Sequence, residues 1–198
     1  MSGNNSFSSP SSSASSDSPP QFINLSVATA TTLVSEISNG GAYHSYSSFG
    51  NYAVAEQSEP AQVIIERQIR GKQMIMCESA YYYFRDYLRS AGGPKEIQRA
   101  EELFKSVQIV RDERVDKIIL HQTRGGPDIK LLSKIAFSTG VHYNAKTLEC
   151  RSFPVEQAVL WNLFSVAYHP YRPLAERLQK PYDPENLRLL HAINKMEI

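Results

Sequence analysis

No lysine or arginine precedes Arg67 in this chain of 198 residues. The first 66 residues hold five acids and a net charge of −5, whereas the remainder holds 21 basic and 15 acidic residues and a net charge of +6. Such asymmetry marks contact with an anionic partner or attraction between an arm and a body. A surplus of +6 is modest for a nucleic-acid binder, and a serine tail that simply lacks lysine is the favoured account.

Cysteine is nearly absent. Two residues, Cys77 and Cys150, exclude a disulfide scaffold, and there is no C-x-x-C pair. A zinc site would need His44, His121, His142, His169 and His191, none of which pairs with another at i+3 or i+4, so neither a metal nor a cofactor is expected. No apolar run reaches transmembrane length, and the serine-rich start lacks the basic and apolar regions of a Sec-type signal peptide. These absences point to a soluble protein of a virion or a host cytoplasm, without a membrane partner.

Serine and proline are plentiful where charge is not. Ten of the first twenty residues are Ser, with Pro10, Pro19 and Pro20 among them, and such a stretch buries too little apolar surface to offset its ordering entropy. Residues 1–20 therefore read as a disordered arm. Residues 21–59 read as a partly ordered extension. Within it, Gln21–Ile37 is ambiguous between strand and helix, and Tyr43, Tyr46, Phe49 and Tyr52 recur every three residues in a glycine- and serine-rich loop. That spacing suits a strip that docks on a neighbour or on the protein's own body, and equally a polar-aromatic loop without a partner.

The globular domain is placed at residues 60–198. Ala61–Ile69 fits a strand or a helix. Lys72–Ser90 is predicted as one helix, with Met74, Cys77, Tyr81, Phe84 and Leu88 on its buried face. Lys95–Val107 follows as a second helix after Gly92-Gly93-Pro94. Val115–Leu120 reads as a buried strand, Asp128 as the cap of a helix that stops at Gly140, and Val141–Arg151 as a hairpin. Pro154 opens a helix that ends before Pro170, and Asp183-Pro184-Glu185 opens a last one carrying Leu187, Leu190, Ile193 and Met196. The expected fold is α+β: a mostly helical single domain with a few short strands, preceded by a disordered arm.

Four arrangements of residues carry chemistry. Cys77, His142 and Asp183 fall in the order of a thiol hydrolase, but Cys77 lies among apolar residues, where cysteine behaves as a small hydrophobe. Arg114, Ser138-Thr139 and Glu156 match the residue types of ADP-ribosyl transfer, although Glu156 in a first helical turn is explained by the helix dipole. The loop Thr123–Asp128 before a helix is a candidate anion site, but it lacks the Lys-Ser/Thr of a P-loop.

The fourth is nucleic-acid binding. Arg85 and Arg89 stand one helical turn apart beside Tyr82, Tyr83 and Tyr87, while Arg111, Arg114 and Lys117 recur every three residues. Basic groups on one face meet phosphates and aromatics stack on bases. The neighbouring Glu101, Glu102, Asp112 and Glu113 offer the plainer account of balanced, solvated faces. Tyr82, Arg85, Arg89, Arg111 and Arg114 are the candidate contacts.

The arm, the aromatic tether and the compact body resemble the layout of viral coat or nucleocapsid subunits. On that basis the expected function is a non-enzymatic assembly or interaction protein whose partners are other subunits or a host protein, with RNA contacted by the body. The alternative is a bacterial effector exported into a host cell, acting as a small enzyme of the thiol-hydrolase type.

Overall fold

The structure, a computed structural model, describes residues 22–180. The expectations for the arm at 1–20 and for the helix beginning at Asp183 lie outside those residues.

Helices outweigh strands, as the apolar spacings predict, and the strands are short. What the spacings did not reveal is that every strand is parallel. Strand β1 (Phe22–Leu25) leads into helix α1 (Val27–Val34). Two short 3-10 turns and helices α2 (Gly50–Ser58) and α3 (Ala61–Ile69) then lead to β2 (Gln73–Cys77). Helices α4 (Glu78–Ala91) and α5 (Pro94–Leu103) connect β2 to β3 (Val107–Val110). Helices α6 (Asp116–Ile119) and α7 (Leu131–His142) lead to β4 (Lys146–Cys150), and α8 (Phe153–Leu160) leads to β5 (Val166–His169). The spatial order is β3-β2-β1-β4-β5.

The order makes β1 the central strand. Ile23 stands beside Met74 of β2 on one side and beside Lys146 of β4 on the other. Residues 22–59, expected to form a partly ordered extension, thus contain the strand on which the sheet is built, and α1 packs against α3, α4 and α5. From β1 the chain winds outward to β3, then returns to the other side of β1 as β4. The direction of winding reverses between β1 and β4, and in open parallel sheets the crevice beyond the carboxyl ends at such a reversal is where ligands bind.

Four predicted elements are corrected, the first being the helix expected from Pro154 to before Pro170, which stops at Leu160 and is followed by β5. The helix over Lys72–Ser90 is a strand followed by a helix. Ile75, Met76 and Cys77 are buried consecutively, as residues of an interior parallel strand are. Their chance continuity with the true helical stripe, Ala80, Phe84 and Leu88, mimicked a longer period. Val115–Leu120 is one turn of helix, because the Val115 carbonyl accepts the amides of Ile118 at 2.8 Å and Ile119 at 3.0 Å. The hairpin over 141–151 contributes only β4, which pairs with β1 and β5.

Gly140 does not end α7, which runs on to His142. A Cβ at Gly140 would stand 2.5 Å from the Thr147 Oγ1 and 3.1 Å from the Asn24 Nδ2, so glycine is what lets α7 lie close on β1 and β4. The chain turns after α7 at Asn144, with φ of 49°.

The larger apolar cluster includes Ile23, Leu25, Met76, Cys77, Phe84 and Leu148; a second gathers Ile118, Phe137, Val155, Ala158 and Phe164. In the second, the Phe137 and Phe164 rings stack with centroids 4.0 Å apart. Of the aromatic strip, Tyr46 and Tyr52 pack on the body, whereas Tyr43 and Phe49 are exposed. Tyr46 is buried, donates its hydroxyl to the Gly41 carbonyl at 2.7 Å and bridges Gln179. A buried ion pair joins Arg172 Nε to Glu56 Oε2 at 2.6 Å, tying the segment after β5 to α2. Glu96 is fully buried and accepts the backbone amides of Glu36 at 2.9 Å, Gly93 at 3.0 Å and Ala175 at 2.8 Å. No helix among the described residues is long and apolar enough to cross a membrane.

Candidate functional site at the strand reversal

A crevice of about 740 Å³ opens at the carboxyl ends of β1, β2 and β4, a size within the roughly 300–1,000 Å³ usual for ligand pockets. Local sequence explains its walls. Leu25 ends β1, and Ser26, in extended geometry, accepts the Thr29 amide at 3.1 Å and so starts α1 at the rim. Cys77 ends β2, and α4 begins at once with Glu78 and Ser79. Lys130 precedes α7 in the same extended geometry. Three helices therefore converge on the crevice through their amino-terminal halves: Val27, Ala28 and Thr31 from α1, Ser79, Tyr82 and Tyr83 from α4, and Leu132, Ser133 and Ala136 from α7.

Glu149 of β4 also lines the crevice, in an otherwise largely apolar wall. Burial pushes its carboxyl up to about 7, against the opposing pull of the Cys150 amide and the Ser26 hydroxyl. The Cys150 amide lies 2.8 Å from Oε1. A strand carboxyl with a raised pKa in a cleft is a mark of functional sites, though structural networks also produce it.

Tyrosines dominate the rim. Tyr82 and Tyr83 are 50% and 56% exposed. Tyr87 and Tyr171 stand deeper, share a hydrogen bond, and both have phenols raised chiefly by burial. Tyr52 packs edge-on against Tyr171 with centroids 6.0 Å apart, linking the aromatic strip to the crevice.

Asp112, just past β3, locks the α4 wall. It accepts the Ser79 amide at 2.9 Å and also the Ser79 hydroxyl.

The nucleic-acid candidates divide between two places. Tyr82 belongs to the crevice. Arg85 and Arg89 line a separate groove between α4 and α5, with Phe84, Leu88 and Phe104. The Arg85 guanidinium lies 4.9 Å from the Tyr82 ring centre. Both arginines share Asp86, at 3.9 and 3.8 Å, a compensation that the basic spacing alone conceals. Arg111 and Arg114 are exposed at the carboxyl end of β3, interleaved with Asp112 and Glu113.

The structure does not bring the thiol-hydrolase residues together as a described triad. Cys77 is fully buried, its thiol pushed up to about 11 by burial, with Ala80, Asp112 and Thr139 as partners. His142 faces Glu113 at 3.8 Å, and Asp183 lies outside the described residues. The other thiol, Cys150, lies 4.0 Å from His169 Nδ1. Burial raises that thiol and lowers that imidazole, so the pair favours the neutral forms.

For the ADP-ribosyl arrangement, Ser138 and Thr139 are buried inside α7, while Glu156 pairs with Arg151 at 3.0 Å. Asp128 does not cap α7. It accepts the amides of Thr123 and Ile129 and holds the buried Lys134 at 2.8 Å, so the loop satisfies itself. Among the described residues, no three His, Cys, Asp or Glu side chains converge as a metal site requires.

Sequence reading missed Glu149 and the rim serines. The available signal was a single acid inside the run Thr147-Leu148-Glu149-Cys150, together with a capping serine directly after Phe22-Ile23-Asn24-Leu25. A family model described as a protein of unknown function (DUF1308) matches residues 23–181.

Proposed function

The chain belongs to the DUF1308 family of proteins of unknown function, and we propose that it is a non-enzymatic module that binds single-stranded nucleic acid in the crevice at the strand reversal. The observation that carries this reading is the pair Tyr82 and Tyr83, about half exposed on the wall of a 740 Å³ crevice. Exposed tyrosines beside a cleft offer stacking surfaces worth about 1–3 kcal/mol per base. Lys130 stands where α7 begins, so its charge and the free amides of the first turn act on a phosphate together. Arg111 and Arg114 lie along the same carboxyl edge of the sheet and extend the path of a backbone beyond the crevice. The assembly role suggested by the arm rests on residues outside those described.

The test is fluorescence anisotropy with labelled single-stranded RNA and DNA of mixed sequence at several salt concentrations. The expected result is an affinity that falls with salt, with a slope of about 0.7 unit for each phosphate of the single strand neutralised. Tyr82→Ala and Tyr83→Ala should each weaken binding by about 1–3 kcal/mol. Absence of salt-dependent binding to either polymer contradicts the reading.

A further inference from the structure

We infer that the crevice receives a base with two adjacent hydrogen-bond donors on its pairing edge, as guanine has, and that Glu149 is the group that reads them. The inference rests on the crevice being the nucleic-acid site. An ionised carboxyl group is acceptor-only, with about four lone-pair positions. The Cys150 amide occupies one of them, and the Ser26 hydroxyl nearby favours the ionised form. The remaining capacity belongs to a side chain that lines the crevice, where the surrounding wall is largely apolar.

Complementary chemistry follows. Two parallel N–H donors meet a carboxylate in the way a guanidinium fork does. Guanine presents a ring N–H and an exocyclic amine side by side. Adenine and cytosine each present an amine next to an acceptor, and uracil presents one donor between two acceptors. An acceptor set against the carboxylate in an apolar wall goes unpaired, and unpaired polar groups are what make such sites discriminate. Stacking on Tyr82 or Tyr83 holds any base and supplies no choice, so selectivity falls to Glu149. Burial has raised its carboxyl to about 7, so the ionised, acceptor-only form that this pairing needs prevails above that pH.

The experiment uses the full chain at about pH 8, where the Glu149 carboxyl is ionised, and oligouridylate RNA carrying one central guanine, one central inosine, or none. Inosine keeps the ring N–H and lacks the amine, so it tests the paired donors without altering the protein. The guanine oligomer should bind roughly tenfold tighter or more than all-uridine RNA, the scale of one added hydrogen bond to a charged group, and inosine should lose most of that gain. Glu149→Gln, which keeps the side chain's shape, should remove the guanine preference, with retained thermal unfolding confirming the fold. Equal affinity for the guanine and all-uridine oligomers overturns the inference while leaving the nucleic-acid site standing. So does a guanine preference that survives Glu149→Gln. Failure of all three oligomers to bind overturns both.

Discussion

The Ser26 hydroxyl accepts the Thr29 amide at 3.1 Å and stands near enough to the Glu149 carboxyl to favour its ionised form. One side chain thereby caps α1 and supports the acid in the crevice wall, joining β1 to β4 where the winding reverses. Ser26→Ala should cost about 1–2 kcal/mol through the lost cap. Because the hydroxyl favours the ionised carboxyl, the loss should be greater above pH 7 than well below it. Urea denaturation of both proteins at two pH values checks the size and the direction.

Glu149 itself opposes folding at neutral pH. Its folded carboxyl titrates at about 7 against an ordinary 4.5, so over that window the folded chain holds a proton that the unfolded chain has released. The contribution of Glu149 to stability therefore falls as pH rises from 4.5 to 7, and its full penalty stands above 7. Glu149→Gln should be more stable than the parent at about pH 8, by up to roughly 3 kcal/mol, and nearly equal to it at about pH 4. Denaturation midpoints across that range measure the difference. A variant that is more stable and yet loses guanine preference would identify Glu149 as kept for binding.

The buried Arg172–Glu56 pair predicts the opposite outcome. Glu56→Gln leaves a guanidinium that is 3% exposed without its carboxylate, and loss of one partner from such a pair costs about 3–5 kcal/mol. Arg172 also donates to the Glu59 and Tyr171 carbonyls, so the variant should loosen the segment that carries Tyr171 to the crevice. Hydrogen exchange of residues 170–180 is the sensitive readout.

Cys77 should react slowly with thiol reagents in the native chain, since it is fully buried and its thiol is pushed up to about 11. Cys77→Ala should cost roughly 1–2 kcal/mol through a small cavity. Labelling as rapid as that of a free thiol would contradict the burial.

Parts of this fold were legible in the sequence for physical reasons, and parts were not. Helices with one solvent face announce themselves. Ala80, Phe84 and Leu88 in α4 and Pro94 at the start of α5 carry the spacing and the start signal that amphipathic helices need. Interior parallel strands lack such a signature because both faces are buried, so Ile75, Met76 and Cys77 blended into the helix that follows. Gly140 reads as a stop in isolation, and only its closeness to Thr147 explains it as a contact. The site divides in the same way. Tyr82 was accessible to reasoning from one helix. Ser26, Ser79 and Glu149 are separated by up to 123 positions and meet only because β1 is the central strand.

The central claim is that single-stranded nucleic acid enters the crevice over Tyr82 and Tyr83. The most direct measurement is ultraviolet cross-linking of a 4-thiouridine-containing RNA to the full chain, followed by mass-spectrometric mapping of the modified residues. Cross-links at Tyr82, Tyr83 or Tyr87, lost when excess unlabelled RNA competes, are the predicted result. Cross-links confined to the α4–α5 groove beside Arg89 and Phe104, or none that compete, would contradict it.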